Sequence, residues 1–379
     1  MSVDLLIKNG LVIDPARGIC QQGDVAVKNG KIVDPANATK IEREISAEGC
    51  LVVPGLIDFH AHVYNPGCDF SLKADAACLP QGVTTVVDAG SAGISNYDNF
   101  ARTAVAFNQT RVLSLVHISP AGMVTLRWHE EMNPKYYDAG ALKELIARYP
   151  QQIVGIKCRQ SRNIVGDLGL EPLKATVKVA EQVGLPVVVH VTDPPCTMDT
   201  LAEVLRPGDV LCHCFHGSGN SILGDDGKVL PGIKAAKERG VIFDSSNGKL
   251  NFSHRVAQQA IAEGLLPDVI SSDLTTMTLY MDYVFGLPYV LSKYLSYGVS
   301  MQDVFAACTS TPAAWLGLQG KAGTLAPGAA ADIAVFRKIE RQSRHLDTQG
   351  NLYIADQLLV PQMTVLNGKI AYRQIDFGT

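Results

Sequence analysis

The sequence predicts an α/β protein, a TIM (β/α)8 barrel with a small β-sandwich domain built from both chain termini. Three observations lead to this prediction. Short apolar runs alternate with helix-like segments through the middle of the chain, and β-hairpin patterns occupy both ends. The chain has 379 residues, which is long enough for a barrel and a second, smaller domain.

The first fifty residues have the pattern of an antiparallel sheet. LLIKNGLVID (5–14) and VAVKNGKIVD (25–34) each place Asn-Gly between alternating apolar arms, which is the strongest short-range hairpin signal. Near the C-terminus, MTVLNGKIAYR (363–373) repeats the pattern. We therefore predict that residues 1–53 and 324–379 together form one β-sandwich domain.

The middle of the chain contains eight apolar runs that end in polar or charged residues. They are residues 52–60, 83–90, 111–117, 153–159, 185–191, 209–214, 240–245 and 267–273. Segments with helical apolar spacing, such as 139–149 and 172–183, lie between the runs. An open doubly wound sheet is the alternative, but no Gly-x-Gly-x-x-Gly follows the first strand. Eight strand–helix units therefore predict a barrel over residues 54–323.

Composition and charge narrow the class of partner. Hydrophobic residues make up 47% of the chain, and the net charge of -4 gives no electrostatic reason to bind nucleic acid or an anionic membrane. The start of the chain lacks the pattern of a secretory signal, and no run approaches the roughly 18 apolar residues of a spanning helix. We expect a cytoplasmic protein that acts on a small molecule. The sequence leaves open whether the chain forms a homo-oligomer.

The nine cysteines predict reduced thiols, because their number is odd and their spacing has no disulfide-scaffold rhythm. Cys212 and Cys214 bracket His213 in a way that superficially suggests a zinc knuckle. On a strand, however, both would point away from His213, and the sequence has no Cys-x-x-Cys motif. We interpret the two cysteines as packing residues.

Six residues with metal-binding or acid–base chemistry lie where predicted strands end, at the face that carries barrel active sites. They are His60, His62, Lys157, His190, His213 and Asp273. Residues two apart on an extended chain face the same side, so His60 and His62 can meet one ion. Taken singly, His190 and His213 could be hydrogen-bonded core histidines, and Asp273 could cap a helix.

Lys157 ends the apolar run Ile-Val-Gly-Ile, where an ammonium group is disfavoured. A desolvated lysine can lose its proton. The neutral amine can then add carbon dioxide, which gives a carbamate whose two oxygens can bridge two ions. The six residues together predict a site for two divalent metal ions, with zinc the expected metal and Lys157 present as N6-carboxylysine.

Several motifs resemble those of the amidohydrolase superfamily. PGLIDFHAH (54–62) is similar to its first-strand signature, and GTLAPGAAADIAVF (323–336) to its return to the small β domain. Residues 155–173, 209–223 and 266–274 resemble a dihydroorotase-like or adenine-deaminase-like subgroup that contains metal-dependent deacetylases. The resemblance implies hydrolysis of a small amide or ester, such as an acetylated hydroxy acid or amino acid. The alternatives are a cyclic-amide hydrolase, a purine deaminase, or a catalytically silent structural relative.

The resemblance also assigns roles to the six residues. It implies that His60, His62 and Asp273 bind one metal, that His190 and His213 bind the other, and that carboxylated Lys157 bridges both. A hydroxide shared by the two metals would be the nucleophile. Asp273 would take its proton and later deliver a proton to the leaving group.

Substrate contacts are less clearly marked. Arg159 can hold a substrate carboxylate bidentately, or it can belong to a structural ion pair. His216 is a second candidate for substrate binding, at a position where the subgroup commonly has asparagine. Dihydroorotases usually carry arginine two residues after the second histidine, and Tyr64 stands there, which argues against a true dihydroorotase. Residues 246–248 read Ser-Asn-Gly where the subgroup often has Gly-His-Gly.

Overall fold

The computed structural model describes residues 1–378 and shows three β-sheets with helices between the strands of one of them. In chain order the strands are β1 (Ser2–Val3), β2 (Leu5–Asp14), β3 (Ile19–Lys28), β4 (Lys31–Val33), β5 (Lys40–Ile41), β6 (Glu44–Ser46), β7 (Leu51–Pro54), β8 (Leu56–Ala61), β9 (Val83–Gly93), β10 (Arg111–His117), β11 (Ile153–Arg159), β12 (Val187–His190), β13 (Val210–Cys212), β14 (Ile242–Asp244), β15 (Ile333–Leu346), β16 (Leu352–Leu366) and β17 (Lys369–Arg373).

The α-helices follow the same chain order. They are α1 (Ala74–Cys78), α2 (Tyr97–Phe100), α3 (Ala139–Arg148), α4 (Arg162–Val165), α5 (Glu171–Val183), α6 (Met198–Glu203), α7 (Pro231–Glu238), α8 (His254–Ala262), α9 (Leu287–Ser296), α10 (Met301–Ala306) and α11 (Ser310–Trp315). None of the helices within residues 1–378 has the length and apolar character that crossing a membrane would require.

Seven parallel strands form the central sheet, in the order β14-β13-β12-β11-β10-β9-β8. Strands of a parallel sheet are covered on both faces, which explains why runs such as the three valines before His190 lack alternation. Helix α5 connects β11 to β12 and begins and ends as its sequence predicts. Pro172 lies in its first turn, and Gly184 closes it with a φ of 72°.

The eighth predicted strand, residues 267–273, is not a regular strand. Single parallel bridges join Val269 to Asp244 and Leu274 to Ala61, so the segment lies between the two edge strands of the central sheet. The backbone N–H of Ser272 donates to the carboxylate of Asp58 (3.0 Å) instead of to a neighbouring strand. Backbone hydrogen bonds such as Asn247 N–H to Ser271 and Asp273 N–H to His60 still join the segment to its neighbours, but the ladder is interrupted at Ser272. The prediction of a regular eighth strand was therefore wrong.

The first predicted run, residues 52–60, belongs to two sheets. Its start is β7, which pairs with β15 and β2, and its remainder is β8 of the central sheet. Gly55 lies between the two strands, and a Cβ atom there would collide with the side chain of Thr84. A glycine therefore allows the chain to pass closely from one sheet to the other.

Both chain ends contribute to a second sheet, in the order β17-β16-β15-β7-β2-β3-β4, with β6 paired to β2. Asn29-Gly30 and Asn367-Gly368 join hairpins, as predicted. The hairpin predicted at Asn9-Gly10 was wrong: β2 continues through it with a register shift against β3, and Asn9 has a φ of 59°. The backbone N–H of Asn9 donates to Asp24 Oδ1 (2.9 Å), which makes the site a bulge rather than a turn.

Buried apolar side chains fill the space below the C-terminal ends of the central strands. They are Phe59, Val87, Leu113, Leu115, Val188, Val210, Cys212 and Val269. A packed interior of this kind supports a functional site at the C-terminal face, because the strand ends above it cannot shift freely.

The hairpin of β15 and β16 extends beyond the second sheet, and its tip, residues 347–351, reaches the loop that follows β14. Thr348 Oγ1 accepts a hydrogen bond from the N–H of Phe252 and donates one to the carbonyl of Lys249, both at 3.1 Å. The Asp347 carboxylate accepts from the N–H of His254 (3.3 Å). The β15–β16 hairpin of the second sheet thus supports the loop that follows β14 of the central sheet.

Candidate metal centre

The structure brings the six predicted site residues to the C-terminal ends of the central strands. His60 lies in β8 and His62 just after it, Lys157 in β11, His190 at the end of β12 and His213 directly after β13. Asp273 lies in the segment that follows β14 in space, and its N–H donates to the carbonyl of His60 (2.7 Å).

His60, His62 and Asp273 form one compact group, in which the three ligand atoms all lie within 4.8 Å of one another. The Oδ1 atom of Asp273 is 3.7 Å from His60 Nε2 and 3.5 Å from His62 Nε2. Two imidazole nitrogens and a carboxylate oxygen are ligands that a divalent metal such as zinc accepts. The same three residues were predicted from the sequence to share one ion.

His190 and His213 form a neighbouring group that His60 and Lys157 connect to the first. The ring centroids of His190 and His213 are 4.4 Å apart, and those of His60 and His213 are 5.1 Å apart. Lys157 Nζ lies 3.2 Å from His60 Nε2. The amine of Lys157 is therefore in the same buried space as the imidazoles.

His213 reaches this space because it leaves the strand. Strict alternation along β13 would place His213 and Cys212 on opposite faces. His213 has a φ of 58°, however, which breaks the alternation, and the Cys212 thiol also lies within 4.8 Å of ligand atoms of His60 and Asp244. Both cysteines pack in buried apolar clusters, Cys212 in the interior and Cys214 in the surrounding core.

The remaining ring nitrogens of two histidines are held by hydrogen bonds. His62 Nδ1 is 2.8 Å from Ser91 Oγ, and that hydroxyl donates to Asp88 Oδ2 (2.9 Å). His213 Nδ1 is 2.6 Å from the carbonyl oxygen of Ser246. A carbonyl can only accept, so His213 Nδ1 carries the proton, and its Nε2 keeps a free lone pair.

Ser246 also holds His60. Its hydroxyl lies 3.1 Å from His60 Nδ1 and donates to Asp244 Oδ2 (2.5 Å). One residue of the loop after β14 therefore orients two of the four imidazoles. Outer partners of this kind fix the tautomer and the orientation of metal-binding histidines.

Burial sets the protonation states of the basic groups. It lowers the pKa of His60, His190 and His213 well below the usual histidine value, and Lys157 lowers it further, whereas Asp273 partly opposes the shift at His60 and His213. Burial likewise lowers the pKa of Lys157. Neutral imidazoles are the form that binds a metal, and a neutral amine is the form that reacts with carbon dioxide.

Asp273 behaves in the opposite way. Burial alone would raise its pKa, but the hydrogen bond to His62 and the nearby His60 and His213 outweigh burial and hold the pKa well below the usual value. Its second oxygen, Oδ2, accepts from Asn251 Nδ2 (2.9 Å). Asp273 is therefore an ionised carboxylate with Oδ1 turned towards the histidines.

The donor set fits divalent metal ions. His213 Nε2 is buried and has no hydrogen-bond partner within residues 1–378, although it lies among the other imidazoles. A buried polar atom without a partner is costly, and a metal ion would satisfy it. Four imidazoles, one carboxylate and one buried lysine are the residues that would hold two ions.

Arg159 lies two residues beyond Lys157 and forms an ion pair. Its Nη1 donates to Oε2 of Glu130 at 3.0 Å, and Glu130 Oε1 lies 3.6 Å from His117 Nε2. Burial opposes ionisation of Glu130, but Arg159 and His117 lower the pKa of Glu130 to about 2. The Nε of Arg159 is buried without a hydrogen-bond partner within residues 1–378. The role of Arg159 as a substrate anchor stays a prediction.

His216 and Tyr64 lie beside the site without joining the six residues. The ring of His216 is fully buried, and burial lowers its pKa to about 4. Its substrate-binding role stays a prediction. The hydroxyl of Tyr64 donates to Asn99 Oδ1 (2.8 Å), and its ring packs against Phe100.

The sequence analysis did not identify the residues that orient the six predicted site residues. Asp88 and Asp244 end the second and seventh predicted strands, and a signal was present, since a carboxylate closing an apolar run is as unusual as Lys157. No comparable signal marks Ser91, Ser246 or Asn251, which are common loop residue types.

A family model described as the amidohydrolase family matches residues 51–371. The chain belongs to the amidohydrolase family. It is therefore a hydrolase that acts on C–N bonds, and the family generally uses metal ions.

Relatives of this family are similar to the chain over most of its length. A deacetylase of Agrobacterium fabrum is 33% identical over 86% of the chain and 80% of its own length. A deacetylase of Enterococcus faecalis is 31% identical over 98% of the chain and 99% of its own length.

Two solved structures share the fold, which is of the TIM-barrel type. An adenine deaminase has a TM-score of 0.88 with 29% identity and covers 98% of the chain and 100% of its own. A dihydroorotase has a TM-score of 0.85 with 32% identity and covers 98% of each chain.

Proposed function

We propose that this amidohydrolase is a deacetylase-like enzyme that hydrolyses a small amide or ester, such as an acetylated hydroxy acid or amino acid, with two divalent metal ions. The convergence of four imidazoles, Asp273 and a buried lysine carries the proposal. The two relatives named as deacetylases support the substrate class, because both are similar to the chain over most of its length.

In this proposal His60, His62 and Asp273 would hold one ion, His190 and His213 would hold the other, and Lys157, as N6-carboxylysine, would supply an anionic ligand to both. Zinc is the proposed metal, since nitrogen and oxygen donors on a rigid scaffold suit it. Bound ions would supply a water of lowered pKa and polarise the scissile carbonyl.

The chain itself supplies the proton transfers. Asp273 is ionised, and its Oδ1 faces the imidazoles while Asn251 holds Oδ2, so one oxygen is positioned to accept a proton from the attacking water. The same oxygen then returns a proton to the leaving nitrogen or oxygen. The side chain of Asn251 keeps the carboxylate in this orientation through its bond to Oδ2.

The two ends of the chain have a supporting role in the proposal. We infer that residues 1–53 and 324–379 form a β-sandwich domain beside the barrel of residues 54–323, although residue 379 lies outside the described residues. The hydrogen bonds between the hairpin tip and the loop after β14 support this role.

Cyclic-amide hydrolysis and purine deamination are the second candidate functions, since two solved structures that are similar in shape to this chain carry those names. The position of Tyr64 weighs against dihydroorotate. Its hydroxyl is bonded to Asn99, where a dihydroorotase would present an arginine to a substrate carboxylate.

A substrate panel tests the proposal. Purified protein with zinc is assayed against acetyl esters and N-acetyl amino acids, against cyclic imides, and against purines. We expect turnover of an acetylated compound and loss of that turnover in Asp273→Asn. Turnover of a purine or a cyclic imide alone would overturn the deacetylase assignment, and absence of any hydrolysis by metal-loaded protein would overturn the enzymatic proposal.

A further inference from the structure

Lys293 is a second buried lysine, and the proposed chemistry does not use it. It lies in α9 with its side chain 1% exposed. Its ammonium contacts Asn247 Oδ1 and lies 3.3 Å from the centre of the Phe252 ring. Burial lowers the pKa of Lys293 well below its usual value.

A lysine is a costly residue at this position. Removing the amino group of a lysine from water is costly in either protonation state, and one amide oxygen with the rings of Phe252 and Tyr294 offsets only part of that cost. An apolar side chain would pack in the same space, as its helical neighbours Leu291 and Leu295 do. Stability therefore does not explain the presence of Lys293, and its contact with Asn247 is the feature that an apolar residue could not provide.

Asn247 connects that contact to the metal centre. It lies between Ser246, which orients His60 and His213, and Gly248, which approaches Asp273. A Cβ atom on Gly248 would collide with Asp273 Oδ2, and Gly248 has a φ of 57°. The conformation of residues 246–248 thus affects both groups of ligands.

The side chain of Asn247 has a fixed orientation. Its Nδ2 donates to the carbonyl of Tyr283 (2.9 Å), and its Oδ1 accepts from Lys293. Its backbone N–H donates to the carbonyl of Ser271 (3.0 Å). Lys293 therefore completes a set of contacts that tie the loop after β14 to α9 and to the segment that carries Asp273.

We propose that Lys293 is a positioning residue that sets the affinity of the metal centre by holding Asn247, and through it the loop that orients His60 and His213. The inference rests on the proposed metal-dependent function. Lys293 touches none of the six ligands, so its effect passes through the backbone of residues 246–248.

The test measures zinc affinity by competition with a chromophoric chelator, and separately the melting temperature of the metal-free protein. Lys293→Met keeps the length of the side chain and its packing on Phe252 but removes the hydrogen bond to Asn247. We expect its zinc affinity to fall, with an upper limit of roughly 10–100-fold, the loss found when a direct partner of a metal ligand is removed, because Lys293 acts at one further remove from the ligands. Metal-free protein should melt near the wild-type temperature, since removing a buried amino group that is costly to desolvate offsets the loss of the contact.

Lys237→Met is the matched control. Lys237 lies on α7, 5.4 Å from the Phe243 ring centre, and its Nζ donates to Asp268 Oδ1 (2.9 Å), so it resembles Lys293 in chemistry but not in location. It should lower the melting temperature and leave zinc affinity unchanged. A double variant of Lys293→Met with Asn247→Ala should lose no more affinity than the larger single effect, because both changes break one connection.

Two outcomes would overturn the inference while leaving the proposed function intact. Lys293→Met could bind zinc as tightly as wild type, or it could lose affinity only because the metal-free protein is unfolded at the assay temperature. If wild-type protein itself binds no metal, the proposed function fails, and the inference fails with it.

Discussion

At the scale of single residues, Asp273 combines two properties that distinguish it from a helix cap. Its pKa is held low although it is buried, and its backbone adopts a φ of 52° that turns the carboxylate towards the histidines. Asparagine would keep the shape and one oxygen ligand but could not accept a proton. We predict that Asp273→Asn lowers turnover by roughly 10²–10⁴-fold, the usual contribution of general acid–base catalysis.

Asp268→Asn is the control for that prediction. Asp268 lies in the same segment, and its carboxylate binds Lys237 and the N–H of Phe243, at a distance from the ligands. The control variant should lose stability and keep its turnover per folded enzyme. If Asp273→Asn also stayed within about threefold of wild type, Asp273 would have no part in proton transfer.

Lys157 has a different test, because its proposed role depends on a chemical modification. We predict that Lys157→Ala loses bound metal and activity together, and that short carboxylic acids such as acetate and propionate restore part of both. The reason is that a free carboxylate can take the place of the bridging carbamate in the cavity left by the side chain. Metal content by elemental analysis and turnover are measured with and without the acids.

The rescue has its own control. Lys293→Ala also removes a buried lysine, but short acids should not raise the metal content or the turnover of this variant. The reason is that Lys293 contacts the amide of Asn247 and none of the proposed metal ligands. A Lys157→Ala protein with full metal content and normal turnover would show that Lys157 is not the bridge.

At the scale of elements, the sequence correctly predicted those strands and helices whose bounds are determined by local sequence pattern. The seven central strands and the helices at 139–149 and 172–183 were predicted close to their observed bounds, because apolar periodicity and terminal Pro and Gly mark them. The predictions of a regular eighth strand and of a hairpin at Asn9-Gly10 were wrong. In both, a distant carboxylate, Asp58 or Asp24, takes a backbone N–H, and no local pattern reveals such a contact.

The hairpin of β15 and β16 was not predicted to reach the site, and its contact can be tested by hydrogen exchange. Thr348→Val keeps the shape of the side chain but removes the hydroxyl that bonds Phe252 and Lys249. The variant removes two bonds that contribute about 0.5–1.5 kcal/mol each, so we predict exchange at the Phe252 amide that is roughly 5- to 150-fold faster. Thr348→Ser keeps the hydroxyl and should exchange as wild type does; equal rates in all three proteins would show that the tip does not support the loop.

At the scale of the whole molecule, the candidate site joins residues that are far apart in sequence. Asp273 meets His60 across 213 positions, and Ser246 meets His60 across 186. The sequence predicted the six ligand candidates because strand ends of a barrel converge on one face. It could not predict the residues that orient them, since the choice among many serines and asparagines depends on packing across the barrel.

The contribution of metal to the stability of the whole chain gives the last prediction. The six residues come from five separate segments of the chain, so the unfolded chain offers no comparable site, and metal binds the native state preferentially. Binding at a free metal concentration 100 times Kd stabilises a protein by about 2.7 kcal/mol per site. With an unfolding entropy of about 2.1 cal/mol/K per residue, each ion should raise the melting temperature of this chain by about 3 °C.

Dialysis against a chelator, followed by thermal melts at increasing zinc, measures this effect, and the melting temperature should rise with the logarithm of free zinc once the sites are filled. His213→Ala removes a ligand whose Nε2 has no other partner within residues 1–378, so its response to zinc should shrink. His129→Ala changes an exposed histidine on the loop after β10 and should respond as wild type does. Equal responses of the two variants would mean that the stabilising metal binds elsewhere, because only His213 lies among the convergent imidazoles.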